Sequence, residues 1–371
     1  MKHIKLLCLS AILSTALVSN ASALSVAKAK PKIQMAILLD TSGSMQGLIN
    51  QARTHLWKIV NEFASAKRGG VRPTLEVALY EYGKSSIPQS EGHLRMITPL
   101  TTDLDKVSEE LFALRTNGGE EWAGQVIRNA VAGLQWSRSS KDLKMIFIAG
   151  NEPFTQGPVD YRSAVKEAIA KGITVSTIHC GSEAQGVAGK WKDGADLADG
   201  SFMTINHNAA IAHIKAPQDQ ALAKLGRDLN STYIGYGARG ARMEARQAAQ
   251  DSNASSAGGM AQRAATKASS YYDNAHWDLV DAVKKGKVKL ADSAKLPPKL
   301  RKMTLAQRKA LIQKLAKKRS ELKAKIKKLS AERAKYVAAE RAKKATSGSK
   351  SLDSAISREV KRQGKRKKFT F

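Results

Sequence analysis

The chain has 371 residues, 42% apolar and only 5% aromatic, and its 62 Lys and Arg against 32 Asp and Glu give a net charge of +30. One hydrophobic core rarely organises that length, so more than one structural unit is expected. With only two cysteines, Cys8 and Cys180, a disulfide-stapled scaffold is excluded.

Residues 1–23 carry Lys2 and Lys5, an apolar stretch and the small-residue pattern Ala21-Ser22-Ala23. This order reads as a cleaved secretory signal, so the expected location is the periplasm or the exterior. No other apolar run reaches the roughly 20 residues of a membrane helix. Cleavage removes Cys8 and leaves Cys180 alone in an oxidising compartment; at the end of "GITVSTIHC" it reads as a buried strand residue.

From 33 to 205, apolar runs alternate with amphipathic stretches. "IQMAILLD" and "KMIFIAG" are nearly continuous apolar segments, as central strands covered on both faces require. "LEVALYEYG" and "ITVSTIHC" are further strands, and "LRMITPL" is an edge strand. Helices are expected near 48–65, 105–114, 122–134 and 159–171. The alternation predicts an α/β fold with a doubly wound, mostly parallel, Rossmann-like sheet. Ligands of such sheets gather outside the carboxyl ends of the strands, where Asp40, the end of "IFIAG" and the loop before Trp122 should meet.

The stretch "LLDTSGSMQG" places one carboxylate and two hydroxyls, Asp40, Ser42 and Ser44, on a loop leaving that edge. Hard divalent cations take oxygen ligands of this kind, and Gly43 and Gly47 would let the backbone turn around an ion. The alternative is a polar turn that caps the following helix.

"ILLDTSGSM" resembles the metal-ion-dependent adhesion site of the von Willebrand factor type A (vWA) domain, over about 33–205. The resemblance implies a vWA-like fold and a site completed by a Thr from a second loop and an Asp from a third, holding Mg2+, with Ca2+ or Mn2+ as alternatives. Both further loops depart from that pattern. In "TNGGEEWAGQVI", Glu121, or failing it Glu120, stands where the family has Thr. In "AGNEPF", Gly150 replaces the Asp, and Glu152 is the remaining carboxylate. The expected metal residues are therefore Asp40, Ser42, Ser44, Glu121 and Glu152. Shifting charge from the third loop to the second should keep the ion while weakening its grip on acidic partners. The segment also resembles an exported bacterial group of vWA proteins, through "TNGGEEWAG", "AGNEPFTQGPVDY" and "ADLADGSFMTI".

Beyond the first domain, residues 206–298 read as a helical extension packed on it, with a break near 255–259 and with Tyr233, Tyr236, Trp191 and Trp277 as packing residues. Asp278 and Asp281 are assigned to helix capping and surface solvation. Pro297 and Pro298 punctuate the chain, and Thr304 with Gln307 forms a capping box opening a long basic helix over 304–344. From 299 to 344 there are 18 Lys and Arg against three Glu, half of the net charge. Leu315, Leu322, Leu329 and Tyr336 recur every seven residues, but Lys318 and Lys325 interrupt the seam, so the helix should pack on another helix or pair weakly as a coiled coil. Residues 346–371 read as a basic, disordered tail.

Catalytic signatures are missing: no H-x-x-x-H, phosphate loop or G-x-S-x-G elbow occurs, and His207 and His213 read as residues of a capped helix start or a surface loop. The expectation is an exported, non-enzymatic binding module that uses a divalent cation to engage a protein partner in the cell envelope. The alternative is an envelope scaffold in which the metal only stabilises the fold and the basic helix contacts an anionic polymer, lipid head groups or a helical partner. A specific nucleic-acid role is not expected after export.

Overall fold

A computed structural model describes residues 30–206, 214–343 and 352–371. The signal-peptide reading and His207 and His213 lie outside these residues.

The strands are β1 (Lys32–Asp40), β2 (Lys67–Arg68), β3 (Thr74–Tyr82), β4 (Arg95–Thr101), β5 (Leu143–Gly150), β6 (Thr174–His179), β7 (Asp199–Thr204) and β8 (Phe369–Thr370). Six form one sheet in the order β4-β3-β1-β5-β6-β7, parallel throughout except for the antiparallel edge strand β4. Strand β1 pairs with β3 on one side and β5 on the other, and both neighbours follow it in sequence, so its carboxyl end opens at the point where the winding reverses.

Helices cover both faces, which is why β5, "LKMIFIAG", is buried along its whole length. On one face lie α1 (Gln46–Glu62) and α2 (Leu104–Ala113), whose Leu48, Leu56, Trp57, Leu104 and Leu111 pack on Met35, Val77 and Phe147. On the other lie α3 (Ala123–Gly133), α4 (Tyr161–Ala170) and α6 (Trp191–Leu197), with the short α5 (Glu183–Ala188) before α6. Trp191 belongs to this second layer, against Phe154, and not to the docking of the extension. Cys180 is buried at the end of β6, as its apolar run predicts.

After β7 the chain leaves the sheet for a helical unit: α7 (Asp219–Asn230), α8 (Gly240–Ser256), α9 (Met260–Ala268), α10 (Leu279–Lys284), α11 (Pro298–Arg301) and the 39-residue α12 (Leu305–Lys343). Its core joins Leu222, Leu229, Tyr233, Trp277, Leu322 and Ile326. The inward stripe of α12 runs through Arg308, Ile312, Arg319, Leu322 and Ile326, at helical spacing. The seam is therefore covered by the chain's own helices as far as Leu329, with Tyr336 exposed beyond it, and Lys318 and Lys325 lie outside it in solvent. Arg319 supplies what the sequence pattern hid: its guanidinium lies 4.1 Å from the Tyr233 ring and bonds Asp278 at 2.6 Å and Asp281 at 2.7 Å. Asp278 does cap α10 through the Asp281 N–H, but it is fully buried against Arg319, which corrects its reading as a solvated residue.

The disordered-tail reading of 346–371 is overturned for its described part. Residues Leu352–Arg366 form α13, and β8 pairs antiparallel with β2. Ile356, Val360 and Phe369 enter the same core as α1, and buried Glu359 accepts hydrogen bonds from Ser176 Oγ at 3.2 Å and Ser201 Oγ at 2.5 Å. Composition misled here because the stretch is rich in Lys, Arg and Ser, while its few apolar residues lie on one helical face. The helical unit is thus an insertion between the last strand of the sheet and a closing helix supplied by the C-terminus.

A buried arginine bolts this unit to the α/β domain, and a buried lysine braces it from within the unit. Arg263 of α9 bonds Asp251 at 2.8 Å and Asp105 of α2 at 2.5 Å, with Trp57 of α1 stacked 4.4 Å from its guanidinium. Lys267 bonds Asp251 at 2.6 Å.

Candidate metal centre

The sheet delivers three loops to the carboxyl end of β1. Asp40 ends that strand and is completely buried, with its Oδ1 accepting the Ser42 N–H at 2.7 Å and its Oδ2 facing no donor among the described residues. Residues Gly43–Met45 make one 3-10 turn into α1. Ser42 stands at the start of that turn and Met45 at the start of α1, yet no side chain caps either. Ser42 Oγ and Ser44 Oγ instead lie 3.4 Å apart, and Ser44 Oγ reaches Asn151 Oδ1 at 3.4 Å. The capping alternative therefore does not account for the two hydroxyls.

Glu121 comes from the loop before α3 and is 6% exposed. It lies beside Asp40: a Cβ placed on Gly83, whose φ is +77°, would be 2.8 Å from both Asp40 Oδ1 and Glu121 Cγ. Glycine is needed at 83, between these two carboxylates, and at 150, where the Tyr82 hydroxyl and Asp40 crowd the α-carbon. The turn at 43–47 makes no such demand, since neither Gly43 nor Gly47 has a positive φ.

Backbone and amide contacts hold Glu121 in place. Its N–H donates to Gln156 Oε1 at 3.0 Å, and its Oε2 accepts the Glu152 N–H at 3.4 Å. The Glu152 carboxylate turns toward two amides, Asn151 Nδ2 and Gln156 Nε2, each at 3.4 Å. Glu120 is exposed and accepts the Trp122 indole N–H at 2.9 Å. Of the five residues named from sequence, Asp40, Ser42, Ser44 and Glu121 thus converge, and Glu152 borders them through its backbone. Sequence reasoning missed Tyr82, whose hydroxyl donates to the Ala149 carbonyl at 3.0 Å, and the amides of Asn151 and Gln156. The Glu-Pro of "GNEPF" marks this loop, but nothing in it signals the tyrosine two strands away.

The electrostatics are those of a site short of positive charge. Burial first, and then the adjacent Glu121, push the Asp40 carboxyl well above its usual range. Burial raises Glu121 as well, against hydrogen bonding to Asp40 and Ser42 that favours its charged form. Neither carboxylate makes an ion pair among the described residues. Two adjacent buried carboxylates, one with an oxygen lacking a donor, beside two hydroxyls that cap nothing, form a donor set that suits a hard divalent cation. No third His, Cys, Asp or Glu joins them among the described residues, so the set is two carboxylates and two hydroxyls.

The sequence profile of the von Willebrand factor type A domain matches residues 34–196. Solved structures similar to this chain include proximal thread matrix protein 1 from the mussel byssus, at 11% identity, 47% of this chain, 41% of that one and a TM-score of 0.36. Protein BatB from Bacteroides thetaiotaomicron is 15% identical over 47% of this chain and 90% of its own, with a TM-score of 0.35. The VWA domain of SpRpn10 is 17% identical over 47% and 88%, with a TM-score of 0.36. The match spans about two-fifths of the mussel protein. No curated protein matches the chain significantly. Residues 34–196 are a von Willebrand factor type A domain, the doubly wound unit whose β1 ends at Asp40.

Proposed function

We propose that this protein is an exported, non-enzymatic binding module that uses a divalent cation, Mg2+ in preference to Ca2+ or Mn2+, to engage a protein partner in the cell envelope. The observation that carries the reading is the convergence of Asp40, Ser42, Ser44 and Glu121 at the reversal point of the sheet, with both serine hydroxyls free of any capping duty. Asp40 and Glu121 would hold the ion by charge, and the hydroxyls would complete its oxygen shell. When bound, the ion supplies a Lewis-acidic position to which an oxygen of the partner can bind. Asn151 and Gln156 position the loops around it, and Tyr82 sets the floor beneath Gly150.

The test is capture of envelope proteins on the immobilised chain with and without a chelator, repeated on Asp40→Ala. Metal-dependent capture lost in the variant supports the reading; capture indifferent to both refutes it.

A second reading keeps the metal as a stabiliser and gives the contact to α12. Its support is the outward face of that helix, where Lys317, Lys328 and Lys335 are exposed and the apolar seam is covered within the chain as far as Leu329. That covering disfavours a helical partner and favours an anionic polymer or lipid head groups, bound with counterion release. Deleting the helix would remove core residues Leu322 and Ile326, so the informative variant reverses the three lysines to Glu. Loss of salt-dependent binding to anionic polymer in that variant, with Asp40→Ala unaffected, would favour the second reading.

A further inference from the structure

We infer that the partner meets this site with a neutral carbonyl or hydroxyl oxygen flanked by a basic side chain, and not with a carboxylate. The inference rests on the metal-binding reading above and follows from where the fixed charges sit. Asp40 and Glu121 are both buried beside one point, so together they balance the two positive charges of a divalent ion. The rim around them adds Glu120, exposed, and Glu152, half-buried. On neighbouring loops, Lys84 and Arg95 share Glu81, at 3.2 and 2.5 Å, and the charged Arg115 guanidinium donates to the carbonyls of Phe112, Ala113 and Leu114. The ion together with Asp40 and Glu121 therefore carries no net charge, and a carboxylate approaching past Glu120 and Glu152 meets like charge.

Glu121 is positioned by its backbone N–H on Gln156 and by the Glu152 N–H on its Oε2, and its side chain packs over Gly83. A neutral oxygen can still fill an open position on the ion, and a Lys or Arg beside it would face Glu120 and Glu152.

The experiment uses the mature chain loaded with Mn2+, with water-proton relaxation reporting water held on the ion. Two short peptides identical except for a central Lys or Asp are titrated in. The lysine peptide should displace bound water at a concentration lower by at least about tenfold than the aspartate peptide. In Glu120→Gln, which removes one charge from the rim and leaves the ion's ligands in place, that gap should narrow. Free-Mn2+ spectra confirm that the variant still holds the ion, so lost folding is not mistaken for lost selectivity. An aspartate peptide that binds the wild-type chain as well as or better than the lysine peptide overturns the inference, as does a response to neither. If the wild-type chain holds no Mn2+ at all, the metal reading itself fails.

Discussion

The Tyr82 hydroxyl lies against the α-carbon of Gly150 while donating to the Ala149 carbonyl at 3.0 Å, and it fills the space that a side chain at position 150 would need. A carboxylate at this position of the third loop would compete for space with Tyr82 of β3. Gly150→Asp alone should overpack the site and destabilise the protein by about 1–3 kcal/mol, measured by urea unfolding. Adding Tyr82→Phe should recover part of the loss. An unchanged midpoint for Gly150→Asp would mean that Tyr82 moves aside freely.

The raised carboxyls of Asp40 and Glu121 set a pH dependence of defined sign. The folded, metal-free protein keeps these protons at pH values where the unfolded chain has released them. This contribution to stability is complete below the unfolded values of 3.8 and 4.5 and is lost as pH rises through the raised folded ones. A divalent ion binds the ionised pair in place of the protons, so the rise in Tm on adding Mg2+ should grow as pH rises above the unfolded values. Thermal melts over a pH series starting at those values provide the check, and a gain that shrinks with pH would contradict it.

Much of the α/β domain was legible because its signals are local. Continuous apolar strands such as "LKMIFIAG" need two covering layers, and the D-x-S-x-S loop fell at a strand's carboxyl end where a doubly wound sheet gathers ligands. What stayed hidden depends on partners distant in sequence. Glu359 meets Ser176 and Ser201 from more than 150 residues away, Arg319 meets Asp278, and Tyr82 meets Gly150. A charged residue that ends up buried looks the same in sequence as one that stays in water. That is why α13 read as a tail and why Arg308 and Arg319 were counted only as charge.

Arg263 should be indispensable to the joint between the α/β domain and the inserted helices. It is completely buried between Asp105 and Asp251, so Arg263→Ala leaves buried Asp105 without its ionic partner, while Asp251 keeps Lys267, and should cost about 3–5 kcal/mol in urea unfolding. A loss below about 1 kcal/mol would show that water or Lys267 replaces the guanidinium.

Helix α13 should behave as part of the first domain. Val360 is completely buried and Ile356 is 2% exposed, so Ile356→Ala should destabilise the protein by about 2–5 kcal/mol. Removal of residues 352–371 should lower Tm further and speed proteolysis around α1, whose Glu62 pairs with Lys361 at 3.0 Å. Limited proteolysis with mass spectrometry reads this directly, and an unaltered cleavage pattern would refute the assignment.

The central claim is that Asp40, Ser42, Ser44 and Glu121 hold a divalent cation. Isothermal titration of the chain from residue 24 onward with Mg2+, Ca2+ and Mn2+, repeated on Asp40→Ala, tests it most directly. Saturable binding at one site, lost in Asp40→Ala while its far-UV spectrum stays unchanged, is the predicted result. A wild-type chain that binds none of the three ions would contradict the account and leave the basic face of α12 as the surface to pursue.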